Sequence, residues 1–216
     1  MKTANRPNNV TAHAFFGARD PVLEQVLRKS LLEDRLPTIQ IDDNAGRILQ
    51  LLAMIHKPHR VIEIGSLFGY STIHIARALD ADTMITSFEI DPKAAASARR
   101  NVARAALEDR VQVLEGDAVT HMAGMALGAV DMIFIDAAKS DYPAYLKSAF
   151  PLLRTGGLLI ADDINGDGDY SVEADDPEAV AERQGISTYA RAVSRSPRFF
   201  SALIGTETGL LVSVKT

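Results

Sequence analysis

From Arg60 onward, short apolar runs alternate with stretches of helical periodicity, and this alternation limits the possible folds more than any other feature of the chain. RVIEIG precedes STIHIARAL, TMITSFEI precedes PKAAASARRNVARA, and RVQVLEG precedes a short helix after Asp117. VDMIFID then precedes YPAYLKSAF, and GGLLIAD follows. Parallel strands need long crossovers between them, and helices that serve as crossovers cover both faces of the sheet. The pattern therefore predicts an α/β fold with a mostly parallel sheet. FFSALIG and GLLVSVK, separated by TET, add an antiparallel hairpin at the C-terminal end.

Pro21 to Glu33 and Asn44 to His56 place leucine, isoleucine and valine at helical spacing, while Met1 to Ala12 is polar and reads as a loose arm. A chain of 216 residues fits one domain: the arm at 1–12, N-terminal helices at 13–56 and the α/β core at 60–216. An apolar fraction of 47% is ordinary for a globular protein, and no apolar run reaches the roughly 20 residues of a membrane span. With no cysteine, disulfide and thiol chemistry are excluded, and with no leader signal at the start a cytoplasmic location is expected. Asp162 to Glu182 holds nine acids and neither Lys nor Arg, which accounts for the net charge of −5. The remaining basic residues are scattered, so a nucleic-acid partner is not expected.

After the first strand, Glu63-Ile64-Gly65-Ser66-Leu67-Phe68-Gly69 forms a turn in which glycine lets backbone approach a ligand before a helix begins near Ser71. Its G-x-x-x-G spacing differs from the dinucleotide G-x-G-x-x-G, which argues against a nicotinamide cofactor. Glu63 is expected to face an ammonium group or its waters, and Glu89, at the next strand end, to accept ribose hydroxyls. Gly116, Asp117 and Ala118 end the third strand, where an adenine edge would lie. Singly, these residues also read as turn glycines and helix caps. At three consecutive strand ends they point together to an adenosine-bearing cofactor such as S-adenosylmethionine.

The fourth strand ends in Asp136 and the fifth in Asp162 and Asp163. Three converging carboxylates without Cys or His are hard oxygen ligands, suited to Mg²⁺, Mn²⁺ or Ca²⁺. The run from Asp163 to Asp169 follows the opening of a calcium loop, but position twelve is Ala174 and a strand precedes it, so an EF-hand is not expected. Lys139, three residues past Asp136, is a candidate base if its pKa is lowered. His13, His56, His59, His74 and His121 are scattered and read as structural.

The ordered set VIEIGSLFGYST, FEIDP, LEGDA, FIDAAKSDYPAYL, LLRTGGLLIADD and GLLVSVK resembles the metal-dependent class I O-methyltransferases of the catechol and caffeoyl-CoA type. The resemblance runs from about Ile39 to Lys215. It implies a Rossmann-like seven-stranded sheet, a homodimer, and methyl transfer from S-adenosylmethionine to one hydroxyl of a small catechol-like substrate on Mg²⁺. By position it implies cofactor contacts at Ile41, Glu63, Gly65, Ser71, Glu89, Ala118 and Tyr145, to which the strand-end reading adds Gly69, Asp117 and Asp136. It also implies metal ligands at Asp136, Asp162 and Asp163, with Lys139 as base. Three positions depart from the family pattern: Asp163 replaces a usual Asn, Ala138 a usual acid, and Gly166 a usual aromatic. Methylation of a hydroxylated tRNA base and non-catalytic cofactor binding are the competing readings.

Overall fold

The computed structural model describes residues 20–165 and 176–216. The expected arm at 1–12, the calcium-loop stretch beyond Asn165 and the Gly166 departure lie outside the described residues. Two helices lead in: α1 (Pro21–Arg28), continued by a π-helical turn at Lys29–Glu33, and α2 (Asp43–His56). Asp20 and Asp42 start them, each carboxylate accepting two backbone N–H groups of the first turn.

The core then alternates as the sequence predicts. β1 (Arg60–Ile64) leads to α3 (Tyr70–Arg77), β2 (Met84–Glu89) to α4 (Pro92–Arg104), and β3 (Val111–Glu115) to the short α5 (Ala118–Met122). β4 (Val130–Ile135) leads through a 3₁₀ turn (Lys139–Asp141) to α6 (Tyr142–Leu152), and β5 (Leu153–Ala161) precedes α7 (Pro177–Ser194). The hairpin β6 (Phe199–Ile204) and β7 (Leu210–Lys215) closes the sheet. β5 starts earlier than GGLLIAD suggests, because Pro151 closes α6 and Leu153 pairs at once with Val130 across a register shift.

The sheet order is β3-β2-β1-β4-β5-β7-β6, with β1 to β5 parallel and β7 antiparallel to both neighbours. Side chains alternate across it. Val61, Ile85, Met132, Phe134 and Ile160 pack under α1 to α4, while Ile62, Ile64, Ile133, Ile135 and Leu159 pack under α5 to α7. Helices thus cover both faces. The chain leaves β1 toward β2 on one side and reaches β4 on the other, so the carboxyl ends of β1 and β4 border the crevice where such sheets bind ligands. No helix among the described residues is long and apolar enough to cross a membrane.

At the opposite, amino-terminal edge, the Asp131 carboxylate accepts from the Arg154 guanidinium and from the backbone N–H groups of His59 and Arg60. Burial of this carboxyl is outweighed by those donors, which hold its pKa below the usual value. Asp131→Ala should therefore leave two amides and a guanidinium without their acceptor. A loss of about 1–3 kcal/mol in denaturant unfolding is expected, with the cofactor affinity of the folded protein unchanged.

Candidate active site

A cleft of about 460 Å³ opens at the carboxyl ends of β1, β2, β3 and β4. Its floor is the turn after β1. Gly65 N–H and Ser66 N–H both donate to the Phe88 carbonyl, and Gly69 N–H donates to Ser66 O. Gly65 has φ +92°, and a Cβ there would stand 2.0 Å from the Asp136 carbonyl oxygen, so only glycine fits. Gly69, at φ +82°, starts α3 one residue earlier than the sequence suggests, and it lies behind the cleft wall.

Of the predicted cofactor residues, Ile41, Gly65, Ser71, Glu89, Asp117, Ala118, Asp136 and Tyr145 line this one cleft. Glu63 does not. It is fully buried beneath the turn, where its carboxylate accepts from Ser71 Oγ at 2.6 Å, from Ser87 Oγ at 2.5 Å and from Thr72 Oγ1. Glu63 thus meets the cleft through Ser71, which lines it. Burial pushes its pKa up to about 7, against the three hydroxyls and with the help of the Asp136 charge.

Glu89 accepts from Leu67 N–H at 2.7 Å and Asp91 N–H at 2.9 Å, and burial raises its pKa. Those bonds tie the end of β2 to the turn, and Asp91 is the residue that caps α4. Asp117 both caps α5 and lines the cleft. Tyr145 is pushed to about 12 by burial, with nearby acids adding to the shift, so it stays a neutral hydroxyl. The sequence reading missed Gln40, Ser66 and Tyr70, which also line the wall. Among the described residues, Ser66 Oγ and Gln40 Oε1 are buried without a hydrogen-bond partner, unsatisfied polar atoms of the kind a bound cofactor would satisfy.

The carboxylate end is more complex than the sequence implies. Asp136 and Asp163 line the cleft with Lys139 between them, its Nζ 2.9 Å from Asp136 Oδ1 and 3.5 Å from Asp163 Oδ2. Asp162 is nearly buried and accepts from Thr208 Oγ1 at 2.8 Å. Burial, then the Asp136 charge, raises its pKa to about 7. Among the described residues no three acids or histidines converge as a ready-made cation site. The donor set nevertheless suits a hard cation: three oxygen-bearing side chains at adjacent strand ends, one of them driven toward protonation by burial and then by a neighbour's charge. Lys139 departs from the expected lowered pKa. Burial favours the neutral amine, but Asp136, Asp163 and Asp162 outweigh it and raise the pKa above the ordinary lysine value. Asp163 holds a left-handed backbone, φ 58°, a conformation that Asn and Asp tolerate better than most residues.

A seven-stranded sheet of this order, with a glycine turn and acids at successive strand ends facing one cleft, is the class I methyltransferase fold. Residues 15–216 match the O-methyltransferase family, and the chain belongs to it. It is 37% identical over 188 residues to a catechol O-methyltransferase of Mycobacterium tuberculosis, covering 85% of each chain. It is 36% identical over 184 residues to a catechol O-methyltransferase of Niastella koreensis, covering 84% of this chain and 77% of that one. The crystal structure of an O-methyltransferase from Bacillus cereus in complex with SAH superposes with a TM-score of 0.86 at 31% identity, covering 96% of each chain. The protein is accordingly an S-adenosylmethionine-dependent O-methyltransferase.

Two measurements probe the turn. Gly65→Ala should raise the dissociation constant for S-adenosylhomocysteine (SAH) by roughly a hundredfold in calorimetric titration, because strain and a backbone clash act together. Glu63 binds its proton more tightly folded than unfolded. Its contribution is fully present below pH 4.5 and is lost as pH rises to about 7. In Glu63→Gln, the fall in unfolding free energy over that window should shrink by about 3 kcal/mol, leaving the slope due to Asp162.

Proposed function

We propose that the protein transfers the methyl group of S-adenosylmethionine to one hydroxyl of a small catechol-like molecule, with a divalent metal, Mg²⁺ or else Mn²⁺ or Ca²⁺, held by Asp136, Asp162 and Asp163. The observation that carries this reading is the Lys139 ammonium between Asp136 and Asp163 on the wall of the cofactor cleft. It marks a place where negative charge requires a cation and where a hydroxyl proton has a nearby partner. The names of the two catechol O-methyltransferase relatives support the acceptor class.

In this reading, Ile41, Gly65, Ser71, Glu89, Asp117, Ala118 and Tyr145 form the wall that receives the cofactor, and Glu63 orients Ser71 from below. A bound divalent cation would polarise the acceptor hydroxyl and neutralise part of the carboxylate charge. The hydroxyl oxygen attacks the methyl carbon in line as the carbon–sulfur bond breaks, and the sulfur keeps the bonding pair as the neutral thioether of SAH. Lys139 stabilises the acceptor oxygen as an ammonium. The hydroxyl proton would pass to Lys139 as the neutral amine, a form that burial favours and that a bound cation, by offsetting the three carboxylates that oppose it, would make accessible.

The test is turnover of a catechol panel with labelled methyl donor. Activity should vanish with chelator and return with Mg²⁺, and Asp136→Ala should abolish it. Lys139→Met should lower kcat on the order of a hundredfold or more while SAH still binds. Full turnover in chelator would remove the metal from the mechanism, and SAH binding without turnover of any acceptor would remove the acceptor class.

A further inference from the structure

The cleft residues contact a ligand directly, but one buried side chain outside the cleft holds the glycine turn from behind. Asn101, on α4, is 1% exposed. Its Nδ2 donates to the carbonyl oxygen of Phe68 at 2.8 Å and to Ser30 Oγ at 2.9 Å, and its Oδ1 accepts from Arg104. Both amide hydrogens are therefore used, one on the cofactor turn and one on the π-helical turn at Lys29–Glu33. Ser30 is fully buried and lies 3.4 Å from Ser97, whose hydroxyl donates at 2.6 Å to Asp34; Asp34 also accepts from Arg100.

We propose that Asn101 is a positioning residue for the cofactor, fixing the Phe68 carbonyl and with it the glycine turn to the N-terminal helical segment. The turn needs such an anchor. Leu67 has φ 48° and Gly69 φ 82°, so the chain runs through two left-handed residues on either side of Phe68. Leu67 is non-glycine, and a conformation of that kind persists only where surrounding bonds hold it. Leu67 N–H is held by Glu89 from the cleft side, and Phe68 O by Asn101 from the opposite side. Leu67 and Phe68 are thus held through the peptide on either side of the pair, one by its N–H and the other by its carbonyl. If the Phe68 carbonyl lost its donor, the Phe68–Gly69 peptide would keep only the Gly69 N–H bond to Ser66 O, within the turn itself, and would lose its tie to α4. Leu67 N–H, Ser66 and the start of α3 would then leave the arrangement that faces the cofactor.

The test separates positioning from plain stability. Asn101→Asp keeps size and shape but removes both donors. Its SAH dissociation constant should rise about tenfold, the effect expected when one buried carbonyl goes unpaired. Its kcat at saturating cofactor should stay within about twofold, because no group facing the acceptor changes. Thr83→Val is the matched control: Thr83 is buried and donates to the Pro58 carbonyl at 3.0 Å at the far edge of the sheet. It should lower the melting temperature without changing the dissociation constant. If Asn101→Asp does not fold, Asn101→Ser, whose hydroxyl is too short to span both partners, carries the same expectation. Hydrogen exchange on the unaltered protein needs no variant: SAH should slow exchange at 28–34, although none of those residues lines the cleft. An unchanged dissociation constant in the Asn101 variant, an equal rise in Thr83→Val, or no protection at 28–34 would each overturn the proposal.

Discussion

The active site depends on the contact between Gly65 and the backbone of Asp136. β1 and β4 are parallel neighbours, and Asp136 N–H donates to the Ile64 carbonyl just where β1 turns away. Because Gly65 has no Cβ, the turn lies directly on the Asp136 carbonyl. The strand end that carries the acidic group and the turn that faces the cofactor are thereby one rigid unit. Two reactants that must meet at close range are set against each other by backbone, which has far less freedom than side chains would.

The electrostatics follow from that closeness. Glu63, Asp136, Asp162 and Asp163 crowd into a small and partly dry space, and the field of Asp136 reaches both Glu63 and Asp162. The molecule meets this charge in three ways. Hydroxyls of Ser71, Thr72 and Ser87 surround Glu63, Thr208 takes one oxygen of Asp162, and the Lys139 ammonium stands between the remaining two. A cationic cofactor enters a site whose negative charge is only partly balanced, so its sulfonium and ammonium gain attraction where low dielectric weakens it least. The same imbalance explains why Lys139 keeps its proton in this state.

Much of this was legible in the sequence because the fold places chemistry at strand ends, and strand ends can be read from hydrophobic runs. The alternation from Arg60 onward predicted the sheet and its hairpin; of the acids closing the runs, Glu89, Asp117, Asp136 and Asp163 line the cleft, while Glu63 and Asp162 are buried. The reading failed where the answer depended on a third dimension. Glu63 was expected to face ligand, but its alternation along β1 turns it inward to Ser87, its direct partner on β2. The direction of the Lys139 shift required knowing that two carboxylates flank it, one of them 24 residues away in the chain. Asn101 gave no signal at all, since an Asn amid alanines on a helix reads as surface until Ser30 and Phe68 are brought against it.

The helices before the sheet illustrate the same point from the other direction. Their periodicity marks them as packing elements, yet Gln40 and Ile41, just ahead of α2, form part of the cleft wall. What holds that wall is the docking of α2 on α3. Tyr70 donates to Asp43, and the His74 ring lies so close to Gly46 that a Cβ there would stand 2.7 Å from it. Burial lowers the His74 pKa to about 4, so the ring is uncharged at neutral pH, with its Nδ1 3.2 Å from Gln50 Oε1 on α2. A charged ring at this point would carry its desolvation cost into the α2–α3 contact.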